Sequence, residues 1–248
     1  MKMTINKINI LNMRFDSLLA KDLVEKLGGR VAQSEKTFVV TANPEIVMYG
    51  EKDSCYLNVV NQADYVIPDG YGVILGSRIL GRPLPERIPG FDLMNELLKS
   101  GNDNGWKVYL LGAKNEVVSK AVENIKMKYP QLEIVGWHDG YFDWETNEIS
   151  EEIMGLEPDL VFVALGFPKQ EMWISENLPS FSKGLFMGVG GSFDVWAGTV
   201  KRAPEIWQKL NLEWFYRLIQ QPSRWKRMLV LPLFVLKVIS KKLGSGKQ

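Results

Sequence analysis

Residues 65–73 read Tyr-Val-Ile-Pro-Asp-Gly-Tyr-Gly-Val, and this stretch indicates the fold. A short β-branched and aromatic run ends at Asp69, and a helical pattern follows it. Residues 37–45, Thr-Phe-Val-Val-Thr-Ala-Asn-Pro-Glu, change from strand to helix in the same way. Such turns are typical of an open α/β sheet, in which ligands lie beyond the carboxyl ends of the strands. We therefore expect Thr41, Asn43 and Asp69 to share one crevice.

Asp69 has two interpretations on this stretch alone. One is structural, because aspartate commonly caps a helix such as the one that begins near Tyr71. The other is catalytic, because a carboxylate in a ligand crevice is suited to proton transfer. Gly70 and Gly72 are expected to bind substrate, since glycine lets the backbone approach a ligand closely and permits positive φ.

Composition limits the classes of protein that fit. The 248 residues, 46% hydrophobic and 24% charged, suit a globular protein of one large or two small domains. Cys55 is the only cysteine and His138 the only histidine, which excludes an intrachain disulfide, a cysteine-rich metal site and a two-histidine zinc site. Polar residues interrupt the apolar N-terminus, so we predict no signal peptide and a cytoplasmic protein.

Charge is distributed unevenly along the chain. Residues 199–248 carry a net charge of +9, whereas the rest of the chain carries −8. A basic C-terminal segment on a mildly acidic body suggests a polyanionic partner.

Strand and helix patterns alternate along residues 5–198. The residues 159–165 form a nearly continuous apolar run, which is typical of a strand in a parallel sheet covered on both faces. Residues 102–105 are polar and contain glycine, which favours a boundary there. We predict an α/β fold of two Rossmann-like βα halves with mixed or parallel sheets, residues 1–101 and 102–198, followed by a basic helical appendage, residues 199–248.

Glycine repeatedly follows the predicted strands of the second half. Backbone N–H groups exposed by such glycines contact phosphate readily, so the pattern favours a nucleotide pocket near Lys169 and Gln170. The chain lacks both the G-x-G-x-x-G and the Walker A motifs, and it has no Asp-x-Asp pair. A nucleotide-sugar enzyme of this kind would neutralise diphosphate with Arg, Lys and helix dipoles, so we predict no metal site.

The appendage sets arginines among aromatic residues, at Arg217, Arg224 and Arg227. A solvated basic face beside a core stripe is one interpretation of the pattern. Against it, residues 228–236 have no polar side chain and are followed by lysines. The run is far shorter than the ~20 residues that a spanning helix needs. It favours a segment, interrupted at Pro232, that lies on an anionic membrane surface.

These motifs together resemble the WecG/TagA/CpsF family of bacterial glycosyltransferases, and within it the TagA branch. The resemblance covers about residues 5–230, and its motifs occur in order along the chain. They are Thr41-Ala42-Asn43-Pro44-Glu45, Pro68-Asp69-Gly70-Tyr71-Gly72, Arg87-Ile88-Pro89-Gly90-Phe91-Asp92, Gly166-Phe167-Pro168-Lys169-Gln170-Glu171, Gly188-Val189-Gly190-Gly191-Ser192-Phe193-Asp194, and Arg202-Ala203-Pro204 through Glu213-Trp214.

The resemblance implies transfer of N-acetylmannosamine from a UDP-sugar donor to undecaprenyl-diphosphate-GlcNAc, with inversion, in wall teichoic acid linkage-unit synthesis. It implies that Asp69 is the catalytic base and that Thr41 and Asn43 belong to the active site. The appendage arginines 217, 224 and 227 are expected to stabilise the departing UDP. The substrate-binding residues that we predict are Gly70, Gly72, Arg87, Gly112, Gly136, Gly166, Lys169, Gln170, Gly190, Gly191 and Asp194.

The expected partners are the UDP-sugar, the polyprenyl-diphosphate acceptor and the inner face of the cell membrane, with no cofactor and no nucleic acid. Two alternatives stay open. One is a transferase for a related sugar such as N-acetylmannosaminuronic acid, and the other is a non-catalytic nucleotide-binding module that docks on membranes. The sequence also leaves the oligomeric state open, and a homo-oligomer is compatible with it.

Overall fold

The computed structural model describes residues 6–220 and 225–245. Its strands form one antiparallel hairpin and one six-stranded sheet in which every neighbouring pair is parallel. In chain order they are β1 (Lys7–Ile10), β2 (Met13–Asp16), β3 (Thr37–Ala42), β4 (Tyr65–Pro68), β5 (Lys107–Gly112), β6 (Glu133–His138), β7 (Leu160–Ala164) and β8 (Leu185–Gly188). The large sheet has the order β4-β3-β8-β7-β5-β6, which confirms the predicted α/β class.

Helices cover both faces of this sheet, so its strands are buried on both sides except for the edge strand β6, which is partly exposed. Successive residues of β3 show the alternation: Val39 belongs to one apolar core and Val40 to the other. The helices are α1 (Ala20–Ala32), α2 (Pro44–Gly50), α3 (Ser54–Gln62), α4 (Tyr71–Ile79), α5 (Gly90–Asn104), α6 (Asn115–Lys128), α7 (Glu148–Leu156), α8 (Lys169–Asn177), α9 (Ser192–Trp196), α10 (Glu205–Lys209), α11 (Glu213–Gln220), α12 (Trp225–Met228) and α13 (Val230–Ser245).

Strands from both predicted halves join the same sheet, because β8 lies between β3 and β7. The domain boundaries at residues 101 and 198 stay predictions. At the first of them, residues 102–104 are the last turn of α5 rather than a loop. Gly105 ends that helix in the left-handed conformation, at φ 67°.

The β1–β2 hairpin supports the outer edge of the sheet at β4. The sequence pattern predicts β1, but it does not reveal β2 as a second strand. Asp16 at the end of β2 is buried, and its Oδ2 accepts a hydrogen bond from the backbone N–H of Val66 at 2.8 Å. Burial raises the pKa of Asp16, although the Lys7 ammonium 3.3 Å away favours the charged form.

Helix α13 packs on the body of the protein, against α2 and α4. Phe234 and Val238 are completely buried there. A Cβ on Gly76 of α4 would lie 2.9 Å from the Phe234 ring, so the absence of a side chain makes room for that ring. One face of α13 is therefore part of the core, which the prediction of a membrane-surface segment does not anticipate.

Polar contacts also fix α13 to the body. Lys237 forms a 3.0 Å ion pair with Glu51, and Lys241 Nζ donates to the carbonyl of Leu11 at 2.6 Å. Pro232 does not interrupt the helix, because it lies in the first turn, where its missing N–H has no partner within the helix. Every helix within the described ranges is too short or too polar to cross a bilayer.

Candidate active site

A cavity of about 470 Å³ opens at the carboxyl edge of the large sheet. In the β3–β4 register Ala42 lies opposite Pro68, so Asn43 and Asp69 follow the ends of neighbouring strands. Thr41, Asn43 and Asp69 all line the cavity. Their predicted placement in one crevice is confirmed, whereas their catalytic roles stay predictions.

Thr41 and Asn43 also have structural bonds. Thr41 Oγ1 is buried and donates to the carbonyl of Gly188, 3.3 Å away at the end of the adjacent strand β8. Asn43 is the N-cap of α2, and its Oδ1 accepts a hydrogen bond from the N–H of Ile46 at 3.1 Å. Both side chains are thereby held in fixed positions at the floor of the cavity.

Asp69 does not occupy the N-cap position of the helix that follows it. Gly70 is the N-cap residue of α4. The backbone N–H of Asp69 donates to the carbonyl of Ala42 at 3.0 Å, which continues the β3–β4 ladder by one bond. The interpretation of Asp69 as the N-cap residue of α4 is therefore wrong.

Gly70 and Gly72 line the cavity, but the prediction that they permit a positive φ is wrong. Neither has a positive φ; that of Gly70 is −174°, which any residue can adopt. Instead they lie against Pro44 at the start of α2, where a Cβ on Gly72 would be only 2.6 Å from Pro44 Cγ. These glycines let the two strand-to-helix turns pack together.

The opposite wall of the cavity is formed by glycine-rich turns after β7 and β8. Gly166 and Gly190 have φ values of 74° and 50°, and with Gly191 they line the cavity. Gln170 at the start of α8 is buried and accepts a hydrogen bond from the N–H of Gly190 at 3.1 Å. This bond holds the second turn in place.

Glu171 stabilises the orientation of Gln170 from beneath the cavity. Gln170 Nε2 donates to Glu171 Oε1 at 2.7 Å, and the Glu171 side chain is 1% exposed. Burial raises the pKa of Glu171, even though the hydrogen bond from Gln170 favours its charged form. The Glu171 carboxylate, whose burial costs free energy, thus orients Gln170, and Gln170 in turn holds the turn that contains Gly190.

A charged cluster lies beside Asp69 and consists of Arg87, Arg202, Asp92 and Glu213. Arg202 Nη2 lies 2.7 Å from Asp92 Oδ2, its Nε lies 3.9 Å from Glu213 Oε1, and Arg87 Nη1 lies 3.4 Å from Glu213 Oε2. Burial disfavours the charged form of Arg202. The hydrogen bonds that Arg202 donates to Asp92, together with the charges of Asp92, Glu213 and Asp69, outweigh this effect and raise the pKa of the guanidinium.

The sequence motifs contain these residues without indicating that they meet. Arg202 is 110 residues from Asp92, and spacing in the chain carries no signal for such a contact. The Arg202 guanidinium also lies over the ring of Phe91, 5.1 Å from its centroid.

Comparison with known proteins decides the family. A sequence model of the "Glycosyl transferase WecG/TagA/CpsF family" matches residues 8–248. The chain belongs to this family. It is 42% identical over 238 residues, 95% of this chain and 93% of the relative, to a protein of Staphylococcus aureus (strain MW2) named N-acetylglucosaminyldiphosphoundecaprenol N-acetyl-beta-D-mannosaminyltransferase. A protein of the same name from Bacillus spizizenii is 40% identical over 215 residues, 87% of this chain and 83% of the relative.

Some of the substrate-binding residues predicted for this glycosyltransferase lie away from the cavity. A Cβ on Gly112 would lie 2.5 Å from the Ala164 backbone, and one on Gly136 would lie 2.6 Å from the Tyr109 ring, so both glycines permit close packing within the sheet. Lys169 lines a neighbouring cavity of about 310 Å³, which shares Asp194 with the main one. The main cavity contains the other predicted residues, namely Gly70, Gly72, Arg87, Gly166, Gln170, Gly190, Gly191 and Asp194.

The structure describes the backbone of two of the three appendage arginines. Arg217 lies on α11 and Arg227 on α12, but the side chains of both fall outside the described part of the protein. Arg224 lies in residues 221–224, which are outside it altogether. Glu213 and Trp214 at the start of α11 line the cavity, so the backbone brings the helix that carries Arg217 to the site.

Proposed function

We propose that this family member transfers N-acetylmannosamine from UDP-N-acetylmannosamine to undecaprenyl-diphosphate-GlcNAc, with inversion at the anomeric carbon. This is the linkage-unit step of wall teichoic acid synthesis. The observation that carries the proposal is one cavity in which a carboxylate, a hydroxyl and an amide face glycine-rich turns. The two relatives, whose names give both the sugar and the lipid-linked acceptor, match over most of the chain and support these substrates.

Asp69 acts as the general base in this reaction. An acceptor hydroxyl oxygen attacks the anomeric carbon, the bond from that carbon to the UDP oxygen breaks, and the hydroxyl proton passes to the Asp69 carboxylate. Such a base must come within ~3 Å of the hydroxyl oxygen. The position of Asp69 at the end of β4, half-buried and lining the cavity, supports this role.

Cations balance the charge that builds on the departing UDP. Arg87 lines the cavity, and α11 brings the backbone of Arg217 to its rim. We assign leaving-group stabilisation to Arg217, Arg224 and Arg227 on the sequence motif alone. Within the described ranges, no three His, Cys, Asp or Glu side chains are grouped so that they could hold a metal ion.

Helices α10 to α13 contact the membrane that contains the acceptor. They expose apolar side chains in large number for so short a segment, and basic residues are interspersed with them. The exposed apolar residues are Ile206, Leu210, Trp214, Phe215, Ile219, Trp225, Leu229, Leu233, Leu236, Ile239 and Leu243.

Liposome flotation tests this membrane contact. The protein should float with vesicles that contain anionic lipid and should be released by high salt, because each cation near an anionic surface contributes about 1 kcal/mol. A Leu233→Ser and Leu236→Ser double variant removes two exposed apolar side chains of α13 and should float less. Equal flotation on neutral and anionic vesicles would contradict the electrostatic contribution.

A donor panel tests the proposed reaction itself. The protein is incubated with a lipid-diphosphate-GlcNAc acceptor and, separately, with UDP-N-acetylmannosamine, UDP-N-acetylglucosamine and UDP-N-acetylmannosaminuronic acid. We expect a disaccharide lipid from the first donor only, and the same rate in the presence of EDTA. Product from the uronic acid donor alone would identify the related transferase, and no product from any donor would favour a binding module.

A further inference from the structure

The charged cluster of Arg87, Arg202, Asp92 and Glu213 contains a cation that its surroundings do not satisfy. Arg202 Nε is buried and has no hydrogen-bond partner among the described residues. Its nearest carboxylate oxygen on that side is Glu213 Oε1, at 3.9 Å, which is too long for a hydrogen bond. A buried guanidinium donor without a partner is costly, so the arrangement is incomplete without an anion.

Glu213 lies between two arginines and bonds well to neither of them. Its Oε2 lies 3.4 Å from Arg87 Nη1, at the long end for a charged pair. Glu213 is nevertheless buried, with 9% of its surface exposed. One carboxylate therefore bridges two guanidinium groups that are too far apart for it.

A diphosphate group is larger than a carboxylate and has more acceptor oxygens, so it suits two separated guanidinium groups better. The net negative charge of the cavity lining among the described residues disfavours such a ligand, however. The charged lining residues among those described are two arginines, Arg87 and Arg202, and four acids, Glu45, Asp69, Asp194 and Glu213. A diphosphate needs one of those carboxylates to move away.

We propose that Arg87 and Arg202 form a diphosphate-binding pair, and that Glu213 occupies this pair in the ligand-free enzyme. The incoming diphosphate displaces the Glu213 carboxylate and takes both guanidinium groups. Glu213 lies in the first turn of α11, so movement of this turn would withdraw its carboxylate from the pair. This proposal rests on the proposed function in one respect only, the identity of the diphosphate. It is either that of the nucleotide-sugar or that of the polyprenyl acceptor.

Binding measurements on Glu213→Gln test the displacement. Glutamine keeps the size of the side chain but removes the competing charge, so inorganic pyrophosphate should bind about tenfold more tightly, as should the substrate diphosphate that the pair binds. Uridine, which lacks phosphate, should bind with unchanged affinity. The matched control is Glu205→Gln on α10, an exposed acid that pairs with Lys209 and should change none of these affinities. Unchanged or weaker pyrophosphate binding by Glu213→Gln would overturn the proposal.

Arg202→Gln provides the second test. Its Asp92 partner is 43% exposed and so remains hydrated when the arginine is removed. This variant should bind inorganic pyrophosphate about tenfold more weakly and uridine normally. In the Arg202→Gln and Glu213→Gln double variant most of the gain from the glutamate substitution should disappear. A double variant that keeps the full tenfold gain would show that Glu213 acts independently of Arg202, which contradicts the proposal.

The ligand panel also identifies the source of the diphosphate. If Glu213→Gln tightens UDP but not farnesyl diphosphate, the pair binds the donor; the reverse result assigns it to the acceptor. A gain for neither ligand overturns the proposal. Since every readout is a binding equilibrium, a failure of sugar transfer in the donor panel would leave these results interpretable.

Discussion

The carboxyl edge of the sheet has two unlike parts. Strands β3 and β4 lead into Asn43 and Asp69, whose side chains can donate, accept or take up a proton. Strands β7 and β8 lead instead into Gly166 and Gly190, which present backbone and open space. The difference suggests that one part performs the reaction and the other holds the nucleotide.

Each part is supported from behind by a different element. On the Asp69 side, Phe234 of α13 packs against Gly76 of α4, the helix that follows the turn containing Asp69. Behind the glycine side, the buried Gln170 holds Gly190 through one hydrogen bond. The support is apolar on the first side and polar on the second, so substitutions should separate the two.

The largest effect should come from Phe234→Ala. Removing a completely buried ring leaves a cavity between α13 and α4, which should lower the free energy of unfolding by about 3–5 kcal/mol. Urea unfolding of the full-length protein measures this change. Leu233→Ala removes the exposed neighbour on the same helix and should change stability by less than about 0.5 kcal/mol. Equal effects of the two substitutions would show that α13 is not docked on the body.

Asp69→Asn should lower turnover by about 100-fold or more, because the amide has no basic electron pair while its size is nearly that of the acid. The affinity for UDP should change little. Steady-state rates and UDP titration on the same preparation measure both quantities. The exposed Asp103→Asn at the end of α5 is the matched control and should behave as wild type.

The sequence allowed the reacting side of the edge to be predicted better than the other. Residues 37–45 and 65–73 contain both their strand pattern and the polar residues at its end, so local signals sufficed for Thr41, Asn43 and Asp69. The glycine motif was less informative. Gly190 lies in an open, positive-φ turn that lines the cavity, whereas Gly136 permits close packing, and only the contacts of the folded chain distinguish the two.

Long-range contacts account for the rest of what the sequence did not reveal. The cluster of Arg202 with Asp92 depends on a pairing across 110 residues. The docking of α13 depends on a fit between Phe234 and Gly76, and neither residue signals it locally. A short apolar run flanked by lysines predicts a membrane surface segment equally well whether or not one face of it is buried.

Gly191→Val tests the glycine side alone. Gly191 has φ −78°, so valine adds no backbone strain, and its side chain would enter the cavity. We expect UDP affinity to fall about tenfold, which corresponds to about 1.4 kcal/mol, while turnover at saturating donor falls less. Unchanged UDP binding would place the nucleotide elsewhere, and the neighbouring cavity at Lys169 would then be the next position to test.

Glu171→Gln should have the smallest effect, and it depends on pH. The pKa of Glu171 is raised by burial above its ordinary value of 4.5, so the folded protein holds this proton more tightly than the unfolded chain does. Stability should therefore fall as the pH rises from about 4.5 through the raised value. Glutamine removes that loss, and the variant should gain about 1 kcal/mol above this window and nothing below it. Unfolding curves from pH 4 to pH 8 measure the difference; parallel curves for the two proteins would contradict it.

The separation of reaction from nucleotide binding is tested most directly by combining Asp69→Asn with Gly191→Val. The measurement is the turnover number at saturating donor together with the dissociation constant of UDP, for each single variant and for the double variant. If the two parts of the edge act independently, the double variant has the slow turnover of Asp69→Asn and the weakened UDP binding of Gly191→Val. If Asp69→Asn alone weakens UDP binding as much as Gly191→Val does, the two parts are not separate and the account is wrong.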